Sequence, residues 1–406
     1  MATDPRALAR WAEVHRLAVA GAQASIARDV GTRVCLVWLH TSRFAAVEAM
    51  ATATLTLSAD ANAFFHRAWA LSSTGRPWPA LRDYQRALTM YQQAGDRGRE
   101  AATFSNMGLV YAEIGDWRRA LDFYGQALPV LREVGDRAGE AATLSNVGGV
   151  HAGLGDWRRA LDFYGQALPV LREVGDRASE AATLSNVGLV YVRLGDRQQA
   201  LDFFHRSLAV AREVGDRVGE GVTLNNIGLV YAGFEDWRRA LDFYGQALPI
   251  RREVGDRAGE AATLHNIGGV YAGLGDRQQA FDHYHQALPI RREVGDRAGE
   301  AVTLNNIGQV YAGLGDRKRA LDHYHQALPI RREVGDRAGE AVTRYNIAML
   351  HRADGDLDQA IQELEHVVDL ERQIDHPDLE ADTAVLEQLR RQRAKDHGSE
   401  PPPAGP

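Results

Sequence analysis

The sequence predicts an all-α fold in which about eight antiparallel helix pairs stack into a solenoid. Three observations support this prediction: a segment close to GDRAGEAATL recurs every 40 residues, Gly-Asp pairs recur about every 20 residues, and the apolar residues between them have helical spacing. The glycines that begin the recurring segment are Gly135, Gly175, Gly215, Gly255, Gly295 and Gly335. A period of this length is typical of a repeat array rather than of separate compact domains.

The composition is that of an ordinary globular chain. Hydrophobic residues make up 45% and charged residues 25% of the 406 positions, and 40 Gly with 13 Pro are too few for a collagen-like or disordered protein. The formal net charge is -7, so the chain lacks the basic surplus that neutralises phosphates. Nucleic acid is therefore not an expected partner.

The single cysteine, Cys35, predicts a reducing compartment, because it cannot form a disulfide within the chain. Charged residues interrupt the first 30 positions, so no signal peptide is expected, and no run of 18 apolar residues predicts a membrane span. We therefore expect a cytoplasmic protein without a membrane partner.

The chain divides into four segments. Residues 1–60 are apolar and helical in character but out of phase with the repeats, which predicts an N-terminal cap or a degenerate repeat. Residues 61–380 contain eight 40-residue repeats, residues 381–396 predict a charged capping helix, and residues 397–406 (HGSEPPPAGP) predict a disordered tail.

Each repeat is predicted to form two helices. Gly135 suits the left-handed position just past a helix end, and Asp136 can accept from the free N–H groups at the next helix start. A proline lies inside the second helix of five repeats, where it is expected to cause a kink or an early end. These prolines are Pro129, Pro169, Pro249, Pro289 and Pro329.

The landmark residues of repeat 101–140 carry a family resemblance. They are Phe104, Met107, Gly108, Tyr111, Ala120 and Tyr124. Their spacing resembles the tetratricopeptide signature W-x2-L-G-x2-Y followed by A-x3-F. The long period resembles kinesin-light-chain-type and G-protein-modulator-type arrays and bacterial tetratricopeptide signalling proteins. This resemblance implies a right-handed superhelix whose concave inner wall is lined by the first helix of each repeat.

No catalytic motif is present. The sequence has no Walker loop, no G-x-S-x-G elbow, no H-E-x-x-H and no cysteine pair, so we expect no enzyme activity, no cofactor and no metal. His283 with His285, and His323 with His325, are two residues apart on a predicted helix and therefore point in different directions. A zinc site needs three or four converging ligands.

The candidate binding residues lie on the opposite stripe of the first helix from the core. An asparagine recurs there in seven repeats, at Asn106, Asn146, Asn186, Asn226, Asn266, Asn306 and Asn346. The neighbouring positions vary and include Ser145, Ser185, Asn225, His265, Asn305, Leu189, Leu229 and Arg193. The resemblance implies that this stripe lines a peptide-binding groove.

The leading hypothesis is a non-catalytic scaffold that binds an extended or helical segment of a partner protein in the groove. Carboxamides both donate and accept hydrogen bonds, so a row of them can pair with peptide main chain. Alternatively, the asparagines fasten neighbouring helices. Two other functions stay open: a peptide-sensing regulatory receptor, and a structural scaffold that self-associates through its near-identical repeats.

Overall fold

The computed structural model describes residues 4–398, which form twenty α-helices and no strand. Contacts divide the chain into two units, residues 1–210 (the N-terminal unit) and residues 211–406 (the C-terminal unit). None of the helices between residues 4 and 398 combines the length and apolar character that crossing a bilayer requires. The predicted all-α fold of consecutive antiparallel helix pairs is confirmed.

The N-terminal unit contains ten complete helices and most of an eleventh. They are α1 Pro5–Ala20, α2 Ala24–His40, α3 Phe44–Leu57, α4 Ala61–Ser73, α5 Pro77–Ala94, α6 Arg97–Glu113, α7 Trp117–Val134, α8 Arg137–Gly153, α9 Trp157–Val174, α10 Arg177–Arg193 and α11 Arg197–Val214. From α4 onward, we call the first helix of each repeat helix A and the second helix B.

The C-terminal unit continues the same alternation among its described residues. Its helices are α12 Arg217–Gly233, α13 Trp237–Glu253, α14 Arg257–Gly273, α15 Arg277–Glu293, α16 Arg297–Gly313, α17 Arg317–Glu333, α18 Arg337–Ala353, α19 Leu357–Gln373 and α20 Leu379–Gly398. From α6 onward, each A helix begins four residues before its 40-residue block, because the Gly-Asp pair and not the apolar pattern sets the boundary.

Glycine and aspartate end and begin the helices as the sequence predicts. At the α7–α8 turn, Gly135 has a φ of 71°, and the N–H of Asp136 donates to Leu131 O at 2.9 Å. Asp136 Oδ1 then accepts from Gly139 N at 2.9 Å, which satisfies one free donor of α8. A glycine also forms the turn between helices A and B of most repeats. In the α12–α13 turn it is replaced by Glu235, which adopts the same left-handed conformation with a φ of 59°.

The A and B helices of a repeat pack through one close approach and one aromatic stack. Gly108 of α6 lies directly against the ring of the fully buried Tyr124 of α7. Next to it, Tyr111 stacks on Phe123 with ring centroids 5.3 Å apart and an interplanar angle of 6°. The family landmarks thus pack helix A on helix B, and the buried clusters continue into the next repeat, as where Ala120 and Tyr124 pack with Val147 and Val150.

Neighbouring A helices contact one another within each unit. In the N-terminal unit α4, α6, α8 and α10 contact in sequence, and in the C-terminal unit α12, α14, α16 and α18 do the same. Consecutive B helices lie further apart than consecutive A helices and meet through long side chains, as where Arg212 of α11 donates to Gln246 of α13 at 3.3 Å. The A helices therefore form a continuous face of each unit.

The prolines do not end their helices, so the expectation of an early end is wrong. Helices α7 and α9 continue for five residues beyond Pro129 and Pro169. Their final turns bury Val130 and Leu131, or the equivalent pair in α9, and this packing offsets the hydrogen bond that proline removes. Helix α11, which lacks a proline, ends at the equivalent residue, Val214.

The segments outside the repeats are also helical. Helices α1 to α3 occupy residues 5–57, and α2 contacts α4 more extensively than successive A helices contact one another. The C-terminal helix α20 begins at Leu379, two residues before the segment predicted for it, and packs Leu386 and Leu389 against α19. Of the tail predicted to be disordered, residues 399–406 lie outside the described residues.

Candidate peptide-binding surface

The recurring asparagines lie along the continuous face formed by the A helices. Asn186 is exposed, and the other six asparagines are half-buried between adjacent A helices. We call the row formed by these residues and the exposed positions three residues further on, such as Leu189 and Leu229, the A-helix stripe. Each unit carries its own part of the stripe.

In five repeats, the residue before the asparagine forms a hydrogen bond with the next A helix. In the N-terminal unit, Ser105 Oγ lies 2.8 Å from Thr143 Oγ1, and Ser145 Oγ lies 3.1 Å from Thr183 Oγ1. Ser185 is buried. These residues therefore join successive repeats through side-chain hydrogen bonds, a role that depends on the partner threonine one repeat further along.

In the C-terminal unit the asparagines themselves enter the same connection. Asn225 Oδ1 accepts from Thr263 Oγ1 at 3.1 Å and from Asn266 Nδ2 at 3.2 Å. The buried Asn305 repeats this arrangement by accepting from the equivalent threonine and from Asn346 Nδ2, both at 3.2 Å. The amides of Asn266 and Asn346 therefore fasten helices, as the packing alternative predicts.

His265 makes the corresponding connection between α14 and α16. Asn306 Nδ2 donates to His265 Nε2 at 3.3 Å, so the proton of a neutral ring lies on Nδ1, which is 3.1 Å from Thr303 Oγ1. Burial lowers the pKa of His265 to about 4, and the charge of Arg291 acts in the same direction. The ring is therefore neutral near pH 7 and links two repeats.

Other stripe residues stay available to a ligand. The amides of Asn146, Asn186 and Asn226 make no hydrogen bond with other residues in the described part of the chain, and the amide of Asn106 only donates to Ala102 O of its own helix, at 2.8 Å. Leu189 and Leu229 are 41% and 46% exposed. Arg193 is exposed at the end of α10. The predicted ligand contacts of the candidate residues stay a prediction.

The charged segment between repeats is less solvated than its sequence suggests. Glu140, in the first turn of α8, is buried, and its Oε1 accepts from Arg132 Nε at the end of α7 at 2.7 Å. Its Oε2 accepts from Arg137, which also donates to Glu173 of α9 at 2.8 Å. Glu140 and Arg137 together thus link three helices, α7, α8 and α9.

The same buried glutamate recurs at the start of every A helix from α6 to α18, at Glu100, Glu140, Glu180, Glu220, Glu260, Glu300 and Glu340. For Glu220, burial opposes ionisation, but the hydrogen bonds from Arg212 and Arg217 outweigh it and lower the pKa. The ion pairs of Glu220 therefore stabilise the fold above about pH 4.5, the pKa of a glutamate in the unfolded chain. Their contribution is lost as the pH falls below that value. In the sequence, these buried ion pairs correspond to the recurring string REVGDRAGE, which contains the arginines and the glutamate at fixed spacing.

The two histidines of each H-x-H pair lie in different environments, because His283 and His323 are half-buried whereas His285 and His325 are exposed. His283 stacks on Tyr271 with an interplanar angle of 4°, in the place that Phe123 occupies in α7. Its neighbour His285 packs on Phe281. Between residues 4 and 398, no group of three or more His, Cys, Asp and Glu side chains has an arrangement that could hold a metal ion.

Solved structures of several proteins share this fold. A signal transduction ATPase with numerous domains and a tetratricopeptide repeat sensor, from Pyrococcus horikoshii, is 13% identical with a TM-score of 0.65. The match covers 89% of this chain and about half (54%) of the ATPase. The apo quorum sensor NprR from B. thuringiensis is 16% identical with a TM-score of 0.60, and 84% of this chain and 97% of that chain are covered.

Aspartyl phosphate phosphatase F from Bacillus subtilis has the same architecture. It is 12% identical with a TM-score of 0.58, and the match covers 87% of this chain and 95% of the phosphatase. At these identities the likeness concerns the fold alone. A comparison with curated protein sequences found no match.

A family model gives the assignment. The tetratricopeptide repeat model matches residues 99–173, 179–253, 259–333 and 314–373, which together make up more than half of the chain. The first three matched segments cover the six helix pairs in which a glycine of helix A meets an aromatic ring of helix B. The chain therefore belongs to the tetratricopeptide repeat family.

Proposed function

We propose that this protein is a non-catalytic interaction scaffold whose A-helix stripe binds an extended or helical segment of a partner protein. The observation that carries the proposal is the pairing of exposed leucines with unengaged amides on one helix face. In α10, Asn186 and Leu189 lie one turn apart and both are exposed. Such a surface offers apolar contact and main-chain hydrogen bonding together.

The proposal concerns the amides that the chain does not use for itself. In the N-terminal unit these are Asn146 and Asn186, and in the C-terminal unit Asn226. A carboxamide that is free to rotate can accept from a peptide N–H and donate to a peptide C=O. Recognition of this kind reads the main chain, while Leu189 and Leu229 favour apolar partner side chains.

A second candidate function is a peptide-sensing regulatory receptor. The fold shared with a quorum sensor favours it, since that protein is a signal receptor by its name. The likeness to aspartyl phosphate phosphatase F is one of fold and does not assign phosphatase activity to this chain. A receptor changes its helix arrangement on binding, whereas a scaffold need not, so small-angle scattering with and without the ligand distinguishes the two. Self-association, the third candidate, is detected by light scattering.

We further propose a cytoplasmic location. The one cysteine, Cys35, is buried, and burial raises the pKa of its thiol to about 12, so it is held as an unreactive thiol. Nothing in the fold depends on a disulfide within the described residues, which suits a reducing compartment.

The test compares two sets of asparagines. A lysate pull-down with the wild type identifies a partner, and its affinity is then measured by titration against the Asn146→Ala/Asn186→Ala variant. Because these amides make no internal hydrogen bond, we expect unchanged stability and an affinity at least tenfold lower.

The matched control is Asn266→Ala, which removes an amide that Asn225 already engages. It should lower stability by about 1 kcal/mol and leave binding to the N-terminal unit unchanged. A partner that binds the double variant as tightly as the wild type would contradict the proposal and move the binding surface away from the stripe.

A further inference from the structure

A small acidic cavity lies at the C-terminal end of the repeats, apart from the amides considered above. It has a volume of about 250 Å³ and lies between α18, α19 and α20. Its walls include Val342, Tyr345, Glu371, His376, Asp378 and Asp382. The turn that brings His376 and Asp378 to the cavity is fixed by Asp375, whose φ is 48°, and by a hydrogen bond from His376 N to Glu371 O at 3.0 Å.

Glu371 is the unusual member of this cavity. Its side chain is only 3% exposed, and its Oε2 atom is buried without any hydrogen-bond partner. A buried carboxylate oxygen without a donor is costly, and native structures satisfy the great majority of such atoms. Glu371 shares the cavity wall with Asp382, and these two carboxyl groups hydrogen-bond to each other only when one of them holds a proton, so the fully ionised pair lacks a donor.

Among the described residues, no lysine or arginine pairs with these carboxylates. No Lys or Arg nitrogen lies within 4.0 Å of the carboxylate oxygens of Glu371, Asp378 or Asp382 in the described part of the chain. His376 Nδ1 lies 3.4 Å from Glu371 Oε1, but the same nitrogen accepts a hydrogen bond from Asp378 N at 3.3 Å. Within the described residues, the carboxylates therefore lack a partner that is positively charged at every pH near neutrality.

The size and walls of the cavity restrict the ligand. A volume of about 250 Å³ is below the usual range of small-molecule pockets, about 300–1,000 Å³, and suits one amino-acid side chain or one chain terminus. Val342 and Tyr345 supply apolar contact for a hydrocarbon stem. The acidic groups come from three elements, α19, the α19–α20 turn and α20, so they surround a ligand and do not present one flat edge.

We propose that this cavity binds a primary ammonium group of a ligand, with its alkyl stem against Val342 and Tyr345. An ammonium has three donors that point in different directions, which matches acceptors on three elements better than the planar fork of a guanidinium does. One donor satisfies Glu371 Oε2, and the positive charge balances Asp378 and Asp382. A lysine side chain and a free peptide N-terminus share this chemistry.

The protonation of the empty cavity sets a pH dependence. Burial, then the nearby negative charge of Asp382, raises the pKa of Glu371 to about 7, while Tyr345, His376 and Asp378 are the other titratable groups around it. Burial also raises the pKa of Asp382. An ammonium ligand replaces the proton that the carboxyl groups otherwise retain, so binding strengthens as the pH rises from about 6 to 8.

The test uses three small probes and the full chain labelled at its alanine and valine methyl groups for NMR. N-acetyl-lysine methylamide offers a side-chain ammonium, alanine amide offers an α-ammonium, and N-acetylnorleucine methylamide offers only the alkyl stem. We expect shifts of the Ala341 and Val342 methyl signals with at least one ammonium probe and none with the uncharged probe at the same concentration.

Titrations at several pH values distinguish the two sources. Binding of the lysine probe should persist to pH 9, because its pKa is about 10.4, whereas binding of an α-ammonium should weaken above its pKa of about 8. Equal shifts with the norleucine probe, or no shift with either ammonium, would overturn the proposal.

Variants locate the binding. Glu371→Gln and Asp382→Asn should each weaken the ammonium probe at least tenfold, and two variants are used because either one could perturb α20. The matched control is Asp369→Asn, which removes an exposed carboxylate of α19 that pairs with Arg372 outside the cavity. Unchanged affinity in both cavity variants would place the probe elsewhere and contradict the site. Because no partner protein is used, this result is independent of the A-helix stripe.

Discussion

Tyr164 packs so closely against Gly148 that a Cβ atom at residue 148 would lie 2.6 Å from Tyr164 Cε1. The contact joins helix A to helix B of one repeat, and Gly188 meets Phe204 at the same distance in the next. Since the ring is almost fully buried, it has no room to move aside. The small residue of the family signature is thus a requirement of helix spacing.

A methyl group at this contact should therefore be destabilising. We expect Gly148→Ala to lower the free energy of unfolding by about 1–3 kcal/mol, measured by urea denaturation, because the ring or the helices must shift. Gly165→Ala is the matched control, since residue 165 lies inside α9 with open space around it. It should raise stability by up to about 1 kcal/mol through helix propensity. Equal effects of the two substitutions would show that the close approach has no energetic weight.

The buried glutamate at each repeat junction gives a second prediction. Arg172 Nε donates to Glu180 Oε1 at 2.6 Å, and Arg177 donates to Oε2. In Glu180→Gln the amide nitrogen would face an arginine donor, so we expect a loss of about 2 kcal/mol in urea denaturation. Glu173→Gln alters the exposed end of the equivalent network one repeat earlier, where Glu173 pairs with Arg137, and should leave stability nearly unchanged. A loss at Glu173 as large as that at Glu180 would refute the importance of burial.

The left-handed turn at Glu235 gives a prediction of opposite sign. Its φ of 59° is unfavourable for a residue with a side chain, and the equivalent turn residues Gly155, Gly195, Gly275 and Gly315 are glycines with positive φ. We expect Glu235→Gly to raise the free energy of unfolding by about 1 kcal/mol. Gly275→Glu should have the opposite effect, and the thermal midpoints of the two variants test both signs.

The cavity carboxylate predicts an unusual pH dependence of stability. Because the pKa of Glu371 is raised to about 7, the folded chain binds more protons there than the unfolded chain does between pH 4.5 and 7. Its contribution to stability therefore falls as the pH rises through this window. Glu371→Gln should remove that slope and stabilise the protein by on the order of 1 kcal/mol at pH 8. Denaturation curves at pH 5 and pH 8 measure the difference, and an unchanged slope in the variant would exclude Glu371 as its source.

The sequence predicts those features that depend on local chemistry. Gly135 and Asp136 act on residues within one turn of themselves, so the helix boundaries follow from the Gly-Asp pairs. The role of Asn266 does not follow, because its amide is bound by Asn225, 41 residues away. Periodicity identifies the face of a helix but not whether a side chain on that face reaches its neighbour.

The sequence also does not predict which charged residues are buried. Glu140 and Glu173 both occur in charged runs, yet the first is buried at a junction and the second is exposed. Glu371 gives no signal in the sequence at all, since its cavity is formed by residues of α18, α19 and α20. Such a site depends on how three helices meet, which no spacing along one helix records.

The contact between Ser105 and Thr143 spans 38 residues, and the same offset recurs from Asn225 to Thr263 and from Asn305 to Thr343. Each of these repeats therefore contains both kinds of residue: the threonine that bonds to the preceding repeat, and the Ser or Asn that bonds to the following one. Removal or duplication of 40 residues would join ends that already fit, so recombination between near-identical stretches of the gene can lengthen or shorten the array in whole steps. Repeats 261–300 and 301–340, which differ at 6 of 40 positions, are the expected product of one such duplication.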